Sequence, residues 1–63
     1  MNWDTVKGNW KEMKGEVKKQ WNKLTDDDIS EIDGKREKLV GAIQKQYGKS
    51  KEEAEDAVNN WTN

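Results

Sequence analysis

Four lysines, Lys7, Lys11, Lys14 and Lys18, recur at the three- and four-residue spacing that places side chains on one face of a helix. Beside them, at the same period, run Trp3, Trp10 and Trp21. Cations bordering indole rings could track a phosphate backbone while bases stack on the aromatics, or could seat a helix in a membrane interface. The same pattern arises where lysine stems cover the rim of a Trp-rich core and keep their ammonium groups in water. A net charge of −1 gives no long-range attraction to phosphate. The core-rim reading therefore comes first, and contact with nucleic acid is the alternative.

The acidic residues invite a second chemical reading. Asp26, Asp28, Ser30 and Glu37 fall at positions 1, 3, 5 and 12 of a notional EF-hand loop. That loop needs a turn glycine at its sixth position, where this chain has Glu31, and Ile29 and Ile32 belong to a helical stripe, so helix capping is the better account. The chain has no His and no Cys, which removes the usual zinc and transition-metal ligand sets. No nucleophile and base pair is visible, and no glycine-rich segment matches a phosphate-binding loop. The expectation is a protein that is not an enzyme, with no catalytic residues, no cofactor and no metal.

The elements that carry these residues must come from a small chain. Sixty-three residues suffice for one domain, near the lower limit at which a chain buries enough surface to fold unaided. Without disulfides, only packing can hold it. No apolar run approaches the roughly 20 residues of a membrane span, and the first residues lack the hydrophobic centre of a signal peptide. The expected location is the cytoplasm. Disorder is the competing outcome, since 40% of residues are charged, Phe is absent, and Leu, Ile and Val total nine. Against it stand four Trp and one Tyr, each able to bury on the order of 150–250 Å². Their phase also argues for order. At about 100° per residue, Trp3, Val6, Trp10, Met13, Val17, Trp21 and Leu24 share an arc of about 80°.

That stripe predicts a first helix from Asp4, as N-cap, to about Asn22. Gly8 and Gly15 lie on its far side, each costing about 1 kcal/mol relative to alanine. Close approach of another backbone is the favoured reason and built-in helix weakness the other, with Gly34, Gly41 and Gly48 repeating the seven-residue spacing. Thr25 then caps a short second helix, Asp28 completes a capping box, and three carboxylates face the positive helix end. Asp33-Gly34 reads as a turn before a third helix over 35–47, although Ile29, Ile32, Leu39, Val40, Ile43 and Tyr47 keep a phase that one unbroken helix would also keep. Gly48 stops the third helix, and Ser50-Lys51-Glu52-Glu53 is a capping box that opens a fourth through Trp61.

The predicted core is Trp3, Trp10, Val17 and Trp21 from the first helix, Ile29 and Ile32 from the second, Leu39, Ile43 and Tyr47 from the third, and Val58 and Trp61 from the fourth. Arg36 falls within the apolar stripe of the third helix. Its stem is expected to pack while its guanidinium makes a structural ion pair with a carboxylate such as Asp26 or Asp28, or stacks on an indole. Charge alternates along the chain, +3 over 1–24, −5 over 25–34, +5 over 35–51 and −4 over 52–63. Acids at the starts of the second and fourth helices and bases near the ends of the first and third suit the helix dipoles.

A shift of 26 positions superimposes Trp3 on Ile29, Val6 on Ile32, Gly8 on Gly34, Met13 on Leu39, Gly15 on Gly41, Val17 on Ile43 and Trp21 on Tyr47. The chain reads as a duplicated helical module. Gly8 to Gly15 (GNWKEMKG), Trp21 to Asp28 (WNKLTDDD), Asp33 to Gln44 (DGKREKLVGAIQ) and Tyr47 to Ala54 (YGKSKEEA) together closely resemble the CsbD-like family of small bacterial proteins. The resemblance implies a hydrophilic cytoplasmic protein induced in general stress. It also implies an all-α fold, a small four-helix bundle of two crossed hairpins like that of a SAM domain. The function expected is non-enzymatic, as a protectant or a small protein-interaction module, with a nucleic-acid-binding module as the alternative. Self-association and a protein partner both remain open.

Overall fold

Side-chain caps decide where most of the helices begin. In the computed structural model, which describes residues 1–63, Asn2, Thr25 and Ser50 each accept a hydrogen bond from the backbone N–H three residues on. They open α1 (Trp3–Gly8), α3 (Asp26–Ile32) and α5 (Lys51–Thr62). Thr25 with Asp28 and Ser50 with Glu53 form reciprocal capping boxes, because each carboxylate reaches back to the N–H of its cap residue. The two longer middle helices, α2 (Trp10–Gln20) and α4 (Arg36–Tyr47), begin without a side-chain cap.

The expected first helix is therefore two helices, and its cap is Asn2 rather than Asp4. Asn9 interrupts it at φ −117° and ψ 34°. Its backbone N–H and its side-chain amide both donate to the Thr5 carbonyl, closing α1. Its own carbonyl accepts from Glu12 and Met13 and starts α2. Twenty-six residues further on, Lys35 plays the corresponding part, accepting from Lys38 and Leu39 at the start of α4. The interruption thus occurs in both copies of the repeat. Asp33 (φ 44°) and Gly34 (φ 78°) supply the left-handed turn between α3 and α4, so these are separate helices. Gly48, at φ 64°, ends α4.

The bundle packs α4 against α3 and α5, with α2 against α3. Its radius of gyration, 10.4 Å, matches the roughly 10.6 Å that size scaling gives for a compact chain of this length. One cluster of ten buried side chains runs from Val17 to Val58 and is almost wholly aliphatic. Val17, Ile29, Ile32, Leu39, Ile43 and Val58 all belong to it, along with Leu24, Val40 and Ala54. Trp21 is the one buried indole, at 6% exposure. Trp3, Trp10, Tyr47 and Trp61 pack against the cluster from its margin and stay partly in water. A ring as large as indole cannot be enclosed four times over by a 63-residue chain, so three of the four sit where one face is covered and the other wet.

The glycines divide into two kinds. A Cβ added at Gly8, Gly15 or Gly41 would meet nothing within 4 Å, which overturns the expected close backbone approach at these sites. Gly34 and Gly48 instead hold left-handed backbone. Replacing Gly15 or Gly41 by alanine is expected to stabilise the bundle by about 0.4–1 kcal/mol each. Gly34→Ala should destabilise it by about 1 kcal/mol or more through backbone strain. Urea midpoints at constant slope check both signs.

Candidate functional site

The lysine strip, drawn on one straight helix, is divided by the interruption at Asn9. Lys7 lies on α1, and its side-chain Cγ would sit 3.6 Å from a Cβ built on Gly34. Lys11 and Lys14 lie on α2, exposed and without an ion pair. Lys18 is turned inward to structural work, donating from Nζ to the Leu24 carbonyl at 2.8 Å with Asp26 Oδ1 3.5 Å away. It ties the end of α2 to the connector before α3.

Three shallow open depressions mark the surface. One gathers Trp3, Lys7, Gly34, Lys35, Arg36 and Glu37, so the start of the chain meets the α3–α4 turn. Trp3 makes that junction directly, its indole N–H donating to the Gly34 carbonyl at 3.0 Å. A second joins Lys14, Gly15 and Lys18 to Asp26, Ile29 and Ser30. The third lies between α3 and α4 and mixes Asp28, Glu31 and Glu37 with Lys38 and Lys45 around Gly41. Charges of both signs line each of them, so none is a uniformly basic track.

Arg36 does not pair with Asp26 or Asp28. It reaches α5, donating from Nη2 to Asn59 Oδ1 at 2.7 Å, with Glu55 Oε2 3.9 Å from Nη1. The reason is position, since Arg36 opens α4 and α5 packs along that helix. It links two helices across the bundle surface. Asp28 is occupied elsewhere, its Oδ2 accepting from the Thr25 N–H at 3.1 Å and from Gln46 Nε2 at 2.8 Å. Sequence reasoning missed the Gln46 contact, the Asn59 contact and the Trp3 anchor on Gly34. Of these only the last had a signal, since Trp3 and Gly34 are both points of the repeat.

Aromatic margins are fixed by specific contacts. Trp21 and Trp61 meet edge to face, centroids 5.3 Å apart at 72°. Tyr47 accepts a hydrogen bond from the Lys23 N–H at 3.3 Å, while the Lys23 ammonium lies 5.2 Å from its ring centroid. These contacts join the ends of α2, α4 and α5.

A family model described as CsbD-like matches residues 4–56. The chain belongs to the CsbD-like family. The protein named UPF0337 protein YjbJ from Escherichia coli strain CFT073 is 57% identical over 61 residues, covering 97% of this chain and 88% of that protein. The UPF0337 protein ECA0631 of Pectobacterium atrosepticum is similar to the same extent. The UPF0337 protein NE2439 of Nitrosomonas europaea is 54% identical over 59 residues, 94% of this chain and 63% of its own length. In this CsbD-like chain no helix is long and apolar enough to cross a membrane.

Two carboxylates of the CsbD-like bundle titrate below their ordinary range. The Thr25 backbone N–H is the main cause at Asp28, followed by the Gln46 amide. At Glu53 it is the Ser50 backbone N–H, followed by the Ser50 hydroxyl. A carboxyl lowered in the folded state stabilises folding above its unfolded value, and that contribution is lost as pH falls through the lower folded value. The melting temperature should therefore hold from neutrality to about pH 5 and fall as pH drops below about 4. Asp28→Asn keeps an accepting oxygen but cannot titrate, and its melting temperature should fall less steeply over that acid range.

Proposed function

We propose that this chain is a non-enzymatic, cytoplasmic stress-response protein that works as a small protein-interaction module. The observation carrying this reading is the set of partly exposed indoles, Trp3, Trp10 and Trp61, held at the margin of a core that is aliphatic except for Trp21. Rigid amphipathic rings with one face in water are the side chains most often used as anchors in protein contacts. Membership of the CsbD-like family supports the stress role. A shaped surface with capped helices favours a specific contact over protection by hydrophilic bulk, which would need no fold.

Nucleic-acid binding is the second reading, favoured by the exposed Lys11 and Lys14 beside Trp10. It is weakened by the inward use of Lys18 and by the acids in each depression.

Two measurements separate these readings. Titration with single- and double-stranded DNA at two salt concentrations, followed by Trp fluorescence, should give no salt-sensitive binding in the micromolar range. Such binding would put the nucleic-acid reading first. A heat-aggregation assay with a client enzyme should then show protection by the folded chain and at least a tenfold loss with Ile43→Asp, which places a charge in the core. Full protection by that unfolded variant would make the chain a bulk protectant instead.

A further inference from the structure

All ten side chains of the main core lie between Val17 and Val58. Residues 1–16 contribute one buried side chain, Val6, and it stands outside that cluster. Trp3, Trp10 and Met13 are partly exposed. Apart from the continuing backbone of α2, a single hydrogen bond, Trp3 Nε1 to the Gly34 carbonyl, joins this segment to the rest, and it makes no ion pair. The segment is also weak within itself. It contains the interruption at Asn9 and the glycines Gly8 and Gly15, neither of which any packing contact requires.

From these observations we propose that residues 3–16 form a strap that opens and recloses on a body, residues 17–62, that stays folded. Trp3 is its latch, and the α3–α4 turn is the catch. Few buried apolar groups, a broken helix and one tertiary hydrogen bond give this segment a lower opening free energy than the core. Opening frees Trp3 and Val6 of α1 and Trp10 and Met13 of α2, and bares the flank of the core that Trp3 and Trp10 cover. The closed form buries Val6 and covers Trp3, Trp10 and Met13 in part, and the open form exposes all four. This is a property of the free chain and holds whether or not the indoles meet a partner.

Native-state amide hydrogen exchange in low urea tests the strap on the intact chain. The hydrogen-bonded amides of Asn9 and Met13 are expected to exchange through an opening with less protection and a shallower urea dependence than those of Leu39 and Val58. Ile43→Val weakens the body equally in the closed and open forms. It should speed exchange at Leu39 and Val58 about fivefold and leave Asn9 and Met13 unchanged. Trp3→Phe deletes the latch donor from the closed form alone and should speed all four about fivefold. If Asn9 and Met13 match Val58 in protection and urea dependence, and respond to Ile43→Val as the core does, the chain opens only as a whole and the strap is refuted.

Discussion

Burial of ten side chains between Val17 and Val58 is the constraint on which the rest of this molecule depends. Each fully buried aliphatic group contributes about 1.5–3 kcal/mol by leaving water, and ordering the backbone costs about 1–2 kcal/mol per residue. With so small an apolar interior, little margin exists for an unsatisfied polar group. The structure meets that demand, since no buried side-chain nitrogen or oxygen lacks a partner. Even Thr62, buried at the end of α5, returns its hydroxyl to the carbonyls of Val58 and Asn59.

The charged residues, two-fifths of the chain, are arranged around this interior mainly as local devices. Asp28 and Glu53 seal helix starts, Lys18 secures a connector, and Arg36 spans α4 and α5. Most of these contacts are exposed, and surface ion pairs of this kind are worth about 0–1 kcal/mol each. Their value lies in fixing boundaries. A helix that begins at a capping box cannot slide by a residue, so the apolar positions keep the phase that lets them meet.

Much of this organisation was legible in the residues. The boxes at Thr25 and Ser50, the turn at Asp33-Gly34 and the stop at Gly48 follow from local chemistry that needs no tertiary context, and all lie where the residues place them. The break at Asn9 was legible too, through the repeat, because it falls 26 residues before Lys35. Periodicity alone hides it, because an apolar stripe keeps its phase across a one-residue irregularity. Indole burial and the partner of Arg36 were not legible. Periodicity reports which face a residue occupies, but depth depends on how many helices cover that face, and a guanidinium's partner depends on which helix lies alongside. The surroundings of Lys7 and Lys18 were hidden for a related reason, since both gain neighbours, from the α3–α4 turn and the α2–α3 connector, that no single-helix projection includes.

The edge-to-face meeting of Trp21 and Trp61 gives the molecule unequal optical reporters. Trp21 is shielded from water while the other three fluorophores are within reach of a small aqueous quencher such as iodide. Emission that survives quenching therefore comes chiefly from the junction of α2 and α5, and light from Trp3 and Trp10 follows the opposite end of the chain. One polypeptide thus carries two spectroscopic populations, separable without attaching a dye.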